Sequence, residues 1–475
     1  MKIRISFLDF LILSLMYLSF SCRKLIDIPP PVNSITTLQV FATESEAASA
    51  VAGIYSQMIN VNDSYASYST SIFCGLSADE LSVNPAGNAS WAEFLSNEIG
   101  SDNNLNLTNF WSRAYKTVYT SCAVIENLER SPSLRDSVRK ELIGEAKFLR
   151  AFAYFYLVNL YGAVPMVTTS NWRNTNSLPR QDTKDIYDAL TEDLKNAVEA
   201  LPADYSVGKG QRITPNKAAA LALLSRVYLF RKDWTAAEQM ASRIITDPQF
   251  ALSSIDQVFK KNSSEAIWQL QQNSSLSPSF NITREAYFLI PRVLNGTTLP
   301  AAWISPSLRE SMDPQDLRKT KWIDSTLYSV NGTMYFLPGK YKAGPAQIAP
   351  NGTATEYYMV FRLAEQYLIR AEAYMHQNKL ANAVSDINKI RQRAGIPLLS
   401  MESSGDGIMK AIIKERRHEL FAEWGHRWLD LKRWGLAGQV LAETKGSGWQ
   451  STDSLYPIPG AELRSNPSLT QNEGY

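Results

Sequence analysis

Residues 412–435 read IIKERRHELFAEWGHRWLDLKRWG, and the reading of this stretch decides the fold. Phe421, Trp424, Trp428 and Trp434 stand among Arg416, Arg417, Glu419, Glu423, Arg427 and Asp430. Ile413, Leu420, Trp424, Trp428 and Leu431 recur at helical steps of three, four and seven, which predicts one apolar stripe. A solvated face has no use for so many rings, and a plain core would not hold so many charges. The pattern therefore predicts a bent helix pair, broken near Gly425, whose charges are partly buried and must satisfy one another.

Outward from this segment, helical periodicity dominates and predicts helices over 44–60, 111–129, 139–160, 183–200, 215–230, 235–245, 357–376, 380–394 and 407–424. A repeat links two of the pairs. Six, nine, thirteen and sixteen residues after Tyr228 stand Trp234, Ala237, Ala241 and Ile244; the same offsets from Tyr374 give Leu380, Ala383, Ile387 and Ile390. Small residues at the closest helix contacts and larger ones near the turns are what tetratricopeptide-type pairs require. Residues 144–162, GEAKFLRAFAYFYLVNLYG, read as the first helix of another pair. Irregular helices in an ordinary bundle are the alternative. Two stretches interrupt the pattern, 61–108 and the Ser-, Asn-, Gly- and Pro-rich 250–356 with β-type pieces at 265–270 and 333–337. Loop-rich excursions on a rigid scaffold are where binding residues concentrate.

The chain has 475 residues, 45% of them hydrophobic, enough for a large core. Its net charge is +2, or +1 once residues 1–21 are set aside, and no Lys/Arg block follows a phosphate backbone, which argues against nucleic acid as a partner. Lys2 and Arg4 precede an apolar run over 10–20 that is too short to span a bilayer at about 20 residues per crossing, the pattern of an export signal over 1–21. The signal ends at Ser21-Cys22, the place where a bacterial lipoprotein is lipidated; an ordinary secretory signal with an incidental cysteine is the alternative. Residues 22–34, with Pro29, Pro30 and Pro31, read as an extended tether, and 35–475 as one domain. Cys74 and Cys122 remain, either as a disulfide or as two separate buried thiols.

No catalytic constellation stands out. The three histidines, His376, His418 and His426, lie in no HExxH spacing, no CxxC pair accompanies them, and neither a phosphate-binding glycine loop nor a G-x-S-x-G elbow is present. No metal or cofactor is expected. Carboxylates are plentiful, so a glycosidase pair stays open.

The opening segment resembles the C-terminal signature of the SusD/RagB family, through Glu415, Arg416, Arg417, Glu419, Leu420, Glu423, Gly425, Arg427, Trp428, Asp430, Leu431, Arg433 and Trp434. Further resemblance lies in Glu145 to Ala151 with Tyr161-Gly162 and Val164-Pro165, in Arg362 to Glu365 with Ala371 to Ala373, and in the tail from Leu455 to Pro459, Glu462 and Asn466 to Asn472. The resemblance implies a mainly α fold: a superhelix of about four tetratricopeptide-like pairs bearing a loop-rich, partly β insertion. It implies a lipoprotein on the outer face of the outer membrane of Bacteroidetes. Such a protein binds a glycan or similar nutrient and delivers it, without catalysis, to a SusC-like TonB-dependent transporter.

Sugar recognition needs flat rings against the apolar faces of sugars, with amides and carboxylates on the hydroxyls. Trp91, with Asp79 and Asn88, is expected to face Trp303 and Trp322 across a groove between the two loop-rich stretches. Tyr65, Tyr68 and Tyr335 are further candidates. A hydrophobic plug under its own loop is the competing reading for each Trp. Trp111, Trp424, Trp428 and Trp434 are expected in the core. Two other functions compete: a tetratricopeptide adaptor for peptides or proteins, and a secreted glycoside hydrolase with paired carboxylates beside Trp303.

Overall fold

The computed structural model describes residues 41–59 and 63–475; the expected export signal over 1–21, Cys22 and the expected tether over 22–34 lie outside them. The longer helices are α1 (Glu44–Ile59), α2 (Thr70–Ser77), α3 (Ala89–Ser96), α4 (Ser112–Arg130), α5 (Asp136–Tyr161), α6 (Thr183–Ala200) and α7 (Lys217–Phe230). They continue as α8 (Trp234–Ile245), α9 (Leu363–His376), α10 (Leu380–Ala394), α11 (Gly405–Leu420), α12 (His426–Arg433) and α13 (Ala437–Lys445). Helices α1, α4, α5, α6, α7, α8, α9 and α10 pack each against the next, and α11 closes on α9 and α10. This is the mainly α, stacked-pair architecture that the sequence pattern predicts.

Small residues let the pairs approach. A Cβ on Gly144 of α5 would lie 2.6 Å from the Ala200 Cβ of α6. Ala237 and Ala241 of α8 share a fully buried cluster with Ile369 and Ala373 of α9. The repeat is visible atom by atom at the turns. Asp233 N donates to Tyr228 O and Lys379 N to Tyr374 O, both at 2.9 Å. The residue before each donor, Lys232 and Asn378, takes the same left-handed conformation, φ 60° and 59°. Equal offsets in sequence thus become one turn built twice.

Three expectations need correction. Residues 358–362 are a strand rather than the start of α9, because Tyr358 to Arg362 are buried throughout and bond to a neighbouring strand. The stretch 61–108 is not mainly loop: α2 and α3 lie in it, and α2 is buried on every side, so it carries no helical stripe to read. Helix α11 ends at Leu420, not Trp424. Ala422, Trp424 and Gly425 then take positive φ of 51°, 47° and 68°, so the stripe is cut. Leu420 joins a cluster with Leu368 and Ile390, while Trp424, Trp428 and Leu431 enter the main core. Gly425 is required twice over at this break, since a Cβ there would also stand 2.7 Å from the Cys74 Cβ. Cys74 and Cys122 are separate buried thiols, and burial pushes the Cys74 thiol up to about 12.

The strands are short: β1 (Leu81–Ser82), β2 (Val164–Pro165), β3 (Arg180–Gln181), β4 (Ala266–Leu270), β5 (Trp303–Ile304), β6 (Ile323–Tyr328), β7 (Thr333–Pro338) and β8 (Tyr358–Arg362). They pair antiparallel as β1–β5, β2–β3, β4–β8 and β6–β7. The first pairing joins the two loop-rich stretches, with Ser82 opposite Trp303.

The charges of the opening segment meet in a sealed network. Arg362 at the end of β8 pairs with Glu265, Glu419 and Glu423 at 2.9, 2.5 and 2.8 Å. Arg318 holds Asp316, Glu415 and Glu419; Arg393 holds Glu265 and Glu419; Arg391 takes Glu415 and Lys340 takes Glu423. Five cations thus meet five carboxylates. Burial alone would raise the Glu419 carboxyl, but Arg393, Arg362 and Arg318 hold it well below the usual range. A second balanced set joins Arg416 and Arg433 to Asp430 and Glu372. The charges are matched as expected and most are buried; Arg391 keeps some exposure, and Arg416 Nη1 and Nη2 have no hydrogen-bond partner among the described residues.

Candidate ligand-binding site

The structure separates the residues expected to grip a ligand. Trp322 is 1% exposed; its indole N–H donates to Ile255 O, and its ring lies 4.8 Å from Lys340 Nζ and within 6 Å of Arg362 and Arg393. It roofs the ion network and presents no free face. Trp91 is buried edge-on against Phe73 and Phe288. Asp79 is clamped by Arg417 and Arg427, both at 2.7 Å, which outweigh burial and lower its carboxyl. Exposed Asn88 caps α3 by accepting from Trp91 N. Tyr65 is buried against Phe152 and Tyr156. The groove expected between Trp91, Trp303 and Trp322 is therefore not formed, because two of its three rings serve the interior. Trp434, expected in the core, is half-buried, its indole N–H donating to Glu372.

Two expected residues do meet. Trp303 and Tyr335 lie 4.7 Å apart, both half-buried, with half-buried Tyr328 6.4 Å beyond. The register of the β6–β7 hairpin explains the second contact, since Thr326 faces Tyr335 and Tyr328 shares the face of Thr326 on β6, while Trp303 reaches Tyr335 because β5 packs against β7. Against that hairpin runs the irregular stretch 290–301. It is bolted there by Asn295 N to Thr326 Oγ1 at 3.0 Å, Leu327 N to Asn295 Oδ1 at 2.8 Å and Ser329 N to Gly296 O at 3.1 Å.

A cavity of about 630 Å³ opens along this stretch, lined by Tyr287, Phe288, Arg292, Asn295, Thr298 and Ser329 among others. Thr283 caps the short turn Arg284–Leu289 that carries the two rings. Phe288 is backed by Tyr68 at 4.4 Å and Trp91 at 6.0 Å, so the sequence's candidates support a ring they do not replace. Behind the same rings the Arg284 guanidinium lies 5.3 Å from Tyr287 and 5.0 Å from Phe288. The result is an aromatic wall, fixed from behind, beside hydroxyls and an amide. A larger cavity, about 800 Å³, lies between the two loop-rich stretches and is lined by Asp79, Ser82, Glu93, Glu98, Ser305 and Lys445 among others. No aromatic ring lines it.

The histidines are occupied in packing. His376 stacks on Trp234 at 3.9 Å, His418 Nε2 bonds Ser311 Oγ at 2.8 Å, and His426 is buried.

Two family models match the chain: residues 310–475 fit the SusD family, and residues 33–229 fit the family described as starch-binding associating with outer membrane. The chain belongs to the SusD/RagB family. A SusD-like protein of Formosa agariphila is 26% identical over 97% of this chain and 98% of its own length. A SusD superfamily protein from Bacteroides vulgatus superposes with a TM-score of 0.79 at 21% identity, over 92% of this chain and all of the other. A laminarin-binding SusD-like protein superposes with a TM-score of 0.76 at 25% identity, over 91% of this chain and 99% of its own. The SusD signature residues Glu415, Glu419, Glu423 and Asp430 are thereby explained as members of the buried charge networks.

Tyr287, Phe288, Arg284 and Arg292 escaped the sequence reading, which weighed tryptophans above other rings. A signal was there in REAYFLIPR, residues 284–292, where arginines bracket two adjacent rings inside the insertion.

Proposed function

We propose that this chain is a glycan-binding lipoprotein of the outer membrane, anchored through Cys22 and facing the cell exterior. It holds its ligand in the cavity along 290–301 and passes it to a SusC-like TonB-dependent transporter. The observation that carries the binding role is the pair of half-buried rings, Tyr287 and Phe288, fixed from behind by Tyr68, Trp91 and Arg284 at the edge of a polar-lined cavity. Rigid rings suit the apolar faces of sugars, and Asn295, Thr298 and Ser329 suit their hydroxyls. The file of Trp303, Tyr335 and Tyr328 extends the aromatic surface. Support comes from the laminarin-binding relative, which shares the fold over nearly all of both chains, and from the description of the N-terminal family model. Among the described residues no helix is long and apolar enough to cross a membrane, so attachment through an acylated Cys22 is the reading we favour.

The role is binding without bond cleavage. Asp79, which borders the larger cavity, is tied to two arginines and held ionised, so it is a poor general acid. Isothermal titration of purified protein against laminarihexaose and a panel of other oligosaccharides tests the reading. Tyr287→Ala should weaken binding about tenfold, equivalent to ~1.4 kcal/mol. Unchanged affinity would remove this cavity from the function, and shortening of the oligosaccharide during incubation would sink the non-catalytic reading.

A further inference from the structure

The two cavities beside the loop-rich stretches have opposite charge. The larger one carries Asp79, Glu93 and Glu98 against Lys445. The cavity along 290–301 has no carboxylate in its lining, and Arg292 is its only charged side chain. Arg292 is exposed and forms no ion pair with any described residue. By contrast, Arg416, Arg417, Arg427 and Arg433 of the C-terminal segment are each matched to a carboxylate, and Arg284 behind the rings has Asp63 at 3.0 Å.

Arg284 adds a second cation behind the aromatic wall. It is 6% exposed, its Nε and Nη1 have no hydrogen-bond partner, and its one counter-ion, Asp63, is a half-exposed carboxylate. The carboxyl on the same turn, Glu285, does not offset these charges. Burial pushes it up to about 8, and it accepts a hydrogen bond from Ser71 Oγ at 2.5 Å. The rings that face the cavity therefore have a cation behind them and another beside them, with no ionised acid in the lining.

We propose that the glycan taken by this cavity is an acidic one, whose carboxylate or sulfate pairs with Arg292 while its sugar rings lie on Tyr287 and Phe288. An unmatched guanidinium presents planar donors suited to either oxyanion. It rests on the reading of this cavity as the glycan site. A neutral chain would leave Arg292 solvated and gain nothing from it; the acid-lined cavity would repel the same ligand.

The test compares three tetrasaccharides by isothermal titration: laminaritetraose as the neutral probe, tetragalacturonate as the carboxylate and a sulfated carrageenan tetrasaccharide. Wild type should bind at least one anionic probe about tenfold more tightly than the neutral one, the scale of a hydrogen bond to a charged group. Whichever anionic probe binds more tightly identifies the oxyanion. Arg292→Gln should level that preference, and raising the salt to 0.5 M NaCl should reduce it. Because Arg292 touches no partner, the variant should melt with wild type. Equal binding of neutral and anionic probes, or a preference that survives Arg292→Gln, overturns the acidic ligand. The cavity assignment would still stand in that case if Tyr287→Ala abolished the binding observed. If Tyr287→Ala changes nothing for any probe, the cavity assignment itself falls, and this inference with it.

Discussion

The C-terminal segment and the turn at 284–292 are built from the same residue types and put them to opposite use. In both, arginines stand against aromatic rings. Around α11 and α12 each arginine is matched to a carboxylate in a largely buried setting, and Trp322 covers the network around Arg362. On the 284–292 turn the rings are half-buried and Arg292 meets no acid. What separates scaffold from site here is charge balance rather than composition. Where every charge is cancelled internally nothing is left to recognise a ligand, and where one is left over, something outside must supply the partner.

The largest effect should come from breaking that balance inside. Arg362→Met strands Glu265, Glu419 and Glu423 with too few cations, and should cost about 3–5 kcal/mol in urea denaturation. A variant that denatures with wild type would show that the network is solvated rather than sealed. Next comes Gly425→Ala. It must hold a left-handed conformation at φ 68° and fit a methyl 2.7 Å from the Cys74 Cβ, together about 2–4 kcal/mol. Cys74→Gly removes that Cβ, so the double variant should cost less than the sum of the two single substitutions. If the two costs simply add, the contact is not the cause.

The two regions should also part in their response to pH. Burial pushes Glu285 up to about 8, while in the unfolded chain it releases its proton near 4.5. Its contribution is thus complete below about pH 4.5 and is lost as pH climbs towards about 8. Glu419 and Glu423 behave in the reverse sense. Burial opposes them, but Arg362 and its neighbours hold them down, so their contribution is lost as pH falls below the ordinary carboxylate value. Glu285→Gln should therefore reduce the stability lost between pH 5 and pH 8.5 by about 1–2 kcal/mol and leave the acid limb alone. Buried Glu80 and Glu145, pushed up to about 8 and about 7, should keep part of the alkaline decline.

The scaffold was legible because its rules are local. Ala237 and Ala383 sit at equal offsets from Tyr228 and Tyr374, and periodicity alone finds such pairs. The site was only half legible because its rules are not. Trp91 and Trp322 look like ligand rings in a loop-rich stretch, yet each is covered by residues far away in sequence, Phe288 over one and Phe259 and Lys340 over the other. No spacing announces those partners. Trp303 and Tyr335 are separate in sequence, and only the packing of β5 against β7 brings them together. Helix α2 was invisible for a related reason: buried on all sides, it has no polar face to set a period.

The smallest effect concerns Asn88, which marks the border between the two regions. Its side chain accepts from Trp91 N at the start of α3, and α3 carries Trp91 behind Phe288. Asn88→Ala should therefore cost about 1 kcal/mol in thermal denaturation, the usual loss of a helix cap. Ligand affinity should stay within a factor of two, since the eight residues of α3, packed on Phe73 through Trp91 and Phe94, keep Trp91 in place. Asn88→Ser, which can still cap, should recover most of the stability. The reverse outcome, unchanged melting with weakened binding that serine does not rescue, would return Asn88 to the ligand. It would also move the site from the rings of 284–292 toward the larger, acid-lined cavity, where Ala89 already forms part of the wall.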